Sequence, residues 1–139
     1  MKTSLSLVTL AVIASTSATS TSAFAAENTL TIYTYDSFAA DWGPGPKIEQ
    51  AFEAKCGCDI RFVALDDGVS ILNRLRLEGS NGKADIVLGL DNNLMVEAKK
   101  TGLLAEHGVD TSNTILPNGW DDKTFVPYDY GYFAFIYNK

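Results

Sequence analysis

The sequence predicts an α/β fold with a mainly parallel sheet flanked by helices on both faces. Three apolar, β-branched runs of strand length, residues 30–35, 59–65 and 84–88, are each followed by a segment with helical periodicity. The predicted order is therefore β-α-β-α-β-α, at a spacing that suits right-handed crossovers between parallel strands. In such a sheet, ligands bind in the crevice at the carboxyl ends of the strands.

The first predicted strand leads into a polar and aromatic stretch. Residues 30–35 alternate β-branched and aromatic side chains, and residues 36–42 then offer acidic, hydroxyl and aromatic groups. A G-P-G-P run at 43–46 turns the chain and puts Pro46 in the first turn of a helix. This stretch fits a binding loop, and it fits a polar surface loop with one packed tryptophan equally well.

Apolar periodicity predicts three helices, over residues 46–55, 69–78 and 94–101. Phe52 of the first helix is expected in the core. In the second helix Val69, Leu72 and Leu75 are expected to face inward, and Gly79 ends the helix. Residues 91–93 supply capping groups for the third helix.

The amino terminus has the parts of a secretory signal peptide. Lys2 is followed by an apolar run over residues 5–14 and by small residues around position 25. We expect cleavage after Ala25, so that residues 26–139 form an exported mature chain. The apolar run is too short to span a bilayer, so no direct membrane insertion is expected after cleavage.

The composition limits the kinds of partner that the protein is expected to bind. With 17 acidic and 11 basic residues the formal net charge is −6, and an acidic surface argues against nucleic acid and anionic membranes. A hydrophobic content of 46% is that of a chain with a packed core.

Cys56 and Cys58 are the two cysteines of the chain. Export favours their oxidation, and a bridge between them would close a very short loop. A structural disulfide and a pair of thiols both remain open at this point. A metal site is disfavoured, because the sole histidine, His107, lies far along the chain.

The carboxyl-terminal part, residues 125–139, is the most aromatic stretch. Residues 132–137 are predicted to form a strand, and Phe125, Phe133 and Phe135 are expected to pack in the core. Because the chain stops at this aromatic strand, we expect it to be the first portion of a longer protein.

Carboxylates follow each of the three predicted strands, at Asp36, Asp67 and Asp91. If they converge on one crevice, negative charge would lie beside aromatic rings, an arrangement that attracts an organic cation. The aromatic residues considered for this rim are Tyr33, Tyr35 and Trp42.

Asp67 and Gly68 have a second interpretation. Asp67 is the natural N-cap of its helix, and a cap can hold one oxygen on the backbone while it offers the other to a ligand. Gly68 would let a ligand approach the main chain closely, and the Ser37 hydroxyl could serve polar parts of the same ligand.

Catalysis has little support in the sequence. It contains no nucleophile elbow, phosphate loop or H-E-x-x-H motif. Asp66 and Asp67 are adjacent, and in an extended segment they would point in opposite directions. We therefore expect neither an enzyme nor a cofactor.

Four motifs carry a resemblance to a known family: Y-T-Y-D-S-F-A-A-D-W-G-P-G-P, D-G-V-S-I-L-N-R-L-R, K-A-D-I-V-L-G-L-D-N-N-L and F-V-P-Y-D-Y-G-Y-F-A-F-I-Y-N-K. With these motifs the chain closely resembles the thiamine-binding periplasmic proteins, the substrate-binding subunits of ABC importers for thiamine. The resemblance runs from about residue 30 to the last residue.

The resemblance implies a periplasmic-binding-protein-like fold of type II, in which two lobes close over thiamine, thiamine monophosphate or thiamine diphosphate. Residues 26–139 would be the first part of the amino-terminal lobe, with the second lobe missing. A membrane permease would receive the ligand. The paired cysteines also look like a family feature, which favours a structural disulfide.

By resemblance, Asp67 and Gly68 are the ligand-contacting element, with Asp36 and Ser37 as neighbours, and the aromatic residues that stack on the ligand come mainly from later in the family's chain. Trp42 belongs to the predicted ligand-binding set as an aromatic residue of the rim, from the residue reasoning above. The alternatives are the same fold with another small solute, such as a ferric ion, a sugar or a polyamine, and a secreted hydrolase that uses rim carboxylates.

Overall fold

The computed structural model describes residues 28–132 and 134–138. The predicted signal peptide over residues 1–25 and the core prediction for Phe133 lie outside the described residues. Three parallel strands form one sheet in the order β2-β1-β3, and their bounds are β1 Thr29–Tyr35, β2 Asp59–Leu65 and β3 Ile86–Val87.

Four helices accompany the strands, α1 Asp36–Ala39, α2 Gly45–Cys56, α3 Gly68–Glu78 and α4 Asn92–Lys100, with a 3-10 turn at Gly79–Asn81. The three predicted helices are confirmed. The short α1, which begins directly where β1 ends, is a helix that the sequence reasoning missed. No helix among the described residues has the length and apolarity needed to cross a membrane.

The α/β fold class is confirmed by this arrangement. The chain runs from β1 outward to β2 and then crosses back over β1 to reach β3. With right-handed crossovers, α2 and α3 lie on opposite faces of the sheet. The strand order reverses at β1, and the carboxyl end of such a switch point is where open α/β sheets bind ligands.

The core is centred on β1. Ile32, Tyr33 and Thr34 are all buried, so both faces of this strand are covered. Tyr33 packs against Ile71 and Leu75 of α3, as the inward face predicted for that helix requires. Tyr33 is therefore a core residue and the expectation that it lines a ligand rim is wrong.

The third strand is shorter than the predicted residues 84–88, although its pairing with β1 extends further. The Asp85 amide donates to the Thr31 carbonyl at 2.9 Å, and the Leu88 amide donates to the Tyr33 carbonyl at 2.9 Å. These bonds lie on either side of the two-residue β3 and fix its register.

The segment that follows α4 is irregular but is tied to that helix. Lys99 of α4 forms an ion pair with Asp122, and Lys99 also lies over the ring of Phe125. The His107 ring accepts a hydrogen bond from the Val109 amide at 2.8 Å. The carboxyl end of α4 therefore contacts the irregular segment at Asp122 and Phe125.

Two helix residues that were predicted to lie in the core are exposed, so these two predictions are wrong. Phe52 is 45% exposed, because no other element covers that part of α2 among the described residues. Val69 is 51% exposed, since it lies in the first turn of α3, beyond the part of the helix that crosses β1.

The predicted carboxyl-terminal strand is also wrong for the described residues. Residues 132 and 134–137 are irregular, and the Phe135 side chain is fully exposed rather than buried. A strand needs a neighbour that pairs with its backbone groups, and residues 134–138 pair with none of the three strands of the described sheet. Phe125, by contrast, is half-buried.

Candidate functional site

The candidate site is the carboxyl edge of β1 and β2. Tyr35 pairs with Leu65 in the parallel register, so the two strands end level with each other. Asp36 follows Tyr35 at the start of α1, and Asp67 follows Leu65 by two residues at the start of α3. Both carboxylates are exposed at the same edge of the sheet.

Asp67 caps α3, as predicted. Its Oδ1 accepts a hydrogen bond from the Ser70 amide at 2.7 Å. This backbone bond, together with a side-chain bond from Ser70, holds the pKa of the Asp67 carboxyl below its ordinary value. Asp67 therefore stays ionised to lower pH than an ordinary aspartate and keeps a negative charge at this edge.

Gly68 is held against the end of β3. A Cβ at Gly68 would lie 2.6 Å from the carbonyl oxygen of Gly89, so only glycine fits this approach. Gly89 has φ +110, and a Cβ there would lie 2.4 Å from the ring of Tyr35. These contacts bring the amino terminus of α3 together with the carboxyl ends of β1 and β3.

The sequence reasoning missed Gly89. A glycine directly after the predicted third strand, residues 84–88, and before a helix cap was the available signal, in the run G-L-D at positions 89–91. Tyr35, which was considered for the rim, lies half-buried at this junction. Burial and the nearby Asp129 charge raise the pKa of its hydroxyl, so it remains a neutral donor.

Asp36 and Ser37 are exposed because the next residue anchors their short helix. Phe38 is 1% exposed, and its ring makes edge contacts with Tyr35 and Phe62 at centroid distances of 5.9 and 5.7 Å. A one-turn helix gains little stability from its own hydrogen bonds, so this buried ring holds it in place. Phe38 was also missed as a positioning residue.

Trp42 lies in the turn that folds back on α1. A Cβ at Gly43 would lie 2.2 Å from the Ser37 carbonyl, which shows how closely the turn follows the helix backbone. The Trp42 side chain is 80% exposed. Its indole is therefore free of the core and is available for contact with a ligand or with another part of the protein.

Asp91 differs from the other two carboxylates. Its Oδ1 accepts from the amides of Asn93 and Leu94 at 3.0 and 3.1 Å, and its Oδ2 accepts from the Asn93 side chain at 3.1 Å. Both oxygens are engaged in the cap of α4. The structure thus brings Asp36 and Asp67 to one edge as ligand candidates and gives Asp91 a structural role.

Two cavities lie on the surface elsewhere. The first, of about 280 Å³, is lined by Arg76, Gly79, Glu97, Lys100, Thr101 and Leu103. The second, of about 500 Å³, is lined by Leu65, Ser70, Asn73, Arg74, Leu77 and Glu78. Neither is lined by Asp36, Ser37, Trp42, Asp67 or Gly68, so the candidate site is an open edge rather than one of these cavities.

The acidic residues and cysteines also bear on the geometry of a metal site. Within residues 28–132 and 134–138, no three His, Cys, Asp or Glu side chains cluster as ligands of one ion. Cys56 and Cys58 are joined by a disulfide at the opposite, amino edge of the sheet, where α2 ends and β2 begins.

Comparison with known proteins gives close relatives. The chain is 64% identical over 114 residues to the thiamine-binding periplasmic protein of Escherichia coli K12, a match that covers 82% of this chain and 35% of that protein. The chain therefore spans about a third of the length of the curated relatives that it matches. No protein-family model matches the chain.

Solved structures agree with this result. A structure described as a periplasmic thiamin binding protein superposes with a TM-score of 0.69 at 64% identity, over 71% of this chain and 31% of that one. A Trichodesmium protein solved with iron and citrate ligands superposes with a TM-score of 0.53 at 21% identity, over 69% of this chain and 29% of that one, and it shows the shared fold alone. In sequence and in fold, the chain is thus similar to about a third of a thiamine-binding periplasmic protein, which confirms the resemblance predicted from its motifs.

Proposed function

We propose that this chain is the first part of the amino-terminal lobe of a periplasmic solute-binding protein that captures thiamine, thiamine monophosphate and thiamine diphosphate. The observation that carries the proposal is the 64% identity to a thiamine-binding periplasmic protein over 114 residues. The protein would deliver its ligand to the membrane permease of an ABC importer. Residues 1–25 would be a signal peptide that is removed on export to the periplasm.

The carboxyl edge of the sheet supports recognition of an organic cation. Thiamine carries a permanent positive charge on its thiazolium ring, and two exposed carboxylates, Asp36 and Asp67, follow neighbouring strands at this edge. Such charges attract the cation without specifying its shape. The exposed Trp42 indole adds a ring face that attracts a cation through its quadrupole.

The backbone supports close approach of the ligand. Gly68 is the first residue of α3, where the amide lacks an intrahelical partner, and Ser37 offers an exposed hydroxyl at the start of α1. Backbone and hydroxyl groups of this kind fix the orientation of a small ligand in a binding site. In this proposal Asp67 keeps its capping bond to Ser70 while its other oxygen faces the ligand.

The carboxyl edge of the sheet would contact one side of a ligand. Small-molecule sites normally bury most of the ligand surface, so a second lobe would close over the opposite side. The ligand would then shift the equilibrium toward the closed form through contacts that it makes in the closed form alone. We expect no chemical change of the ligand in this cycle, so the protein would be a carrier rather than an enzyme.

Competition binding on the full-length mature protein tests the ligand. Thiamine and its two phosphate esters should displace a labelled thiamine, whereas ferric citrate, simple sugars and polyamines should not. Displacement by one of these other solutes, with no effect of thiamine, would refute the proposed ligand while leaving the binding-protein fold intact.

Recovery of the ligand tests the carrier role against the hydrolase alternative. After prolonged incubation with the mature protein, thiamine and its esters should be recovered unchanged. Release of phosphate, or of a cleaved heterocycle, at a rate proportional to protein concentration would show an enzyme instead.

A further inference from the structure

The junction between α2 and β2 exposes a disulfide. Cys56 is the last residue of α2 and is exposed, Cys58 is half-buried, and only Gly57 separates them. Gly57 has φ +62, and apart from its chain neighbours and the α2 backbone none of the described residues has an atom within 4 Å of the position that its Cβ would take. A small molecule can therefore approach the exposed Cys56 from solvent.

We expect the fold to survive the opening of this bridge. Closing a loop between residues two positions apart removes little entropy from the unfolded chain. Hydrogen bonds already hold the same junction: the Gly57 amide donates to the Glu53 carbonyl at 3.0 Å, and the Ile60 amide donates to Glu53 Oε1 at 2.8 Å. Opening the bridge would leave α2 and β2 joined as before.

Cys56 is the more accessible of the two cysteines. The Cys58 amide donates to Cys56 Sγ at 3.1 Å, and such a donor stabilises a thiolate. The carboxyl end of the α2 dipole and the carbonyl oxygens of Glu53 and Cys58, at 3.9 and 3.8 Å from Cys56 Sγ, act against a thiolate at this position. The greater exposure of Cys56 therefore distinguishes it from Cys58.

We propose that Cys56 and Cys58 form a thiol-exchange site for low-molecular-weight thiols of the glutathione type, with Cys56 as the sulfur that is attacked. A thiolate attacks Cys56 Sγ, the disulfide bond breaks, and Cys58 leaves as a thiolate that takes a proton from water. A second thiol then attacks the sulfur of the bound small thiol and releases Cys56 as a thiolate. Two small thiols are oxidised to their disulfide while one protein disulfide is reduced, and the reverse sequence closes the bridge.

Mass spectrometry on the purified mature protein tests this inference. The native, oxidised protein is incubated with reduced glutathione, quenched in acid, alkylated and fragmented to locate adducts. We expect the bridge to open without denaturant and a transient glutathione adduct at Cys56. With oxidised glutathione, Cys58→Ser should gain its adduct at Cys56 about ten times faster than Cys56→Ser gains one at Cys58, because Cys56 is exposed whereas Cys58 is half-buried.

Other outcomes would overturn the inference. A bridge that resists glutathione under native conditions and opens only in urea would be a structural link. Equal adduct rates in the two variants, or a transient adduct at Cys58 in the unmodified protein, would contradict the role given to Cys56. The adduct experiment on the unmodified protein does not depend on the folding of either variant. In addition, the denaturation midpoint of the unmodified protein should be the same in the reduced and oxidised forms.

Discussion

The hydroxyl of Tyr33 lies 2.8 and 3.0 Å from the two carboxylate oxygens of Glu78. Tyr33 is in the central strand and Glu78 is the last residue of α3, so this contact joins the carboxyl end of the helix to the core of the sheet. Arg74 completes the group: its Nε lies 2.8 Å from Glu78 Oε1, and its guanidinium lies 4.8 Å from the Tyr33 ring centre.

Tyr33→Phe should destabilise the protein without changing the fold. The substitution keeps the buried ring and removes only the hydroxyl that donates to Glu78, so we expect a loss of about 1 kcal/mol in the free energy of unfolding. Denaturant titration measures it. Tyr132→Phe, at a side chain that is 81% exposed, is the matched control and should change nothing; equal effects of the two variants would contradict this role of Tyr33.

The same group predicts a dependence of stability on pH. The hydrogen bond from Tyr33, followed by those from Arg74, lowers the pKa of Glu78 below the ordinary value of 4.5. The unfolded state therefore binds more protons in this range, so the contribution is complete above about pH 4.5 and is lost as pH falls through the lower, folded-state pKa.

Comparison of denaturation midpoints across this pH range checks the assignment. Glu78→Gln should be less stable than the original protein near neutral pH, and the difference should shrink as the solution is acidified. A difference that stays constant with pH would show that the Glu78 charge contributes nothing through this contact.

Gly89→Ala should disrupt the junction of β1, β3 and α3. The added methyl group would lie 2.4 Å from the Tyr35 ring in a backbone conformation with φ +110. We expect the free energy of unfolding to fall by about 2 kcal/mol or more. Gly102→Ala is the matched control, since Gly102 also has positive φ but open space around it, and should cost about 1 kcal/mol. Equal costs in thermal or chemical unfolding would show that the contact with Tyr35 is not restrictive.

A protein consisting of residues 26–139 alone should bind thiamine weakly or not measurably. The predicted ligand residues line an open edge, and burial of the opposite side of the ligand is what normally supplies much of the affinity. Calorimetry on this piece, beside the full-length mature protein, measures the difference. Tight binding by the piece would show that this part of the amino-terminal lobe is sufficient.

The sequence predicts the parallel sheet and its helices well, because local signals determine them. The Asp67 cap and the inward face of α3 follow from the spacing of apolar residues and from cap chemistry. Phe38 was missed because a single helical turn has no periodicity that could reveal it.

Other parts depend on contacts that the sequence does not display. Phe52 is in the apolar stripe of α2, yet it remains exposed because periodicity identifies a face without saying whether another element covers it. Tyr33 and Tyr35 are both aromatic residues of β1, and only the packing of α3 shows that one is central to the core while the other lies at the carboxyl edge. Phe135 shows the same limit for a strand-like segment without a partner strand.

The most direct test of the ligand site is a calorimetric titration of thiamine into the full-length mature protein and four variants. Asp36→Asn and Asp67→Asn each remove one carboxylate charge from the proposed site and should weaken binding by about tenfold or more. Asp59→Asn, at the amino end of β2, and Asp110→Asn, which like Asp67 caps a backbone amide, are the controls and should bind as the unmodified protein does. Unchanged affinity in both Asp36→Asn and Asp67→Asn would contradict recognition of the thiazolium ring at the carboxyl edge of this sheet.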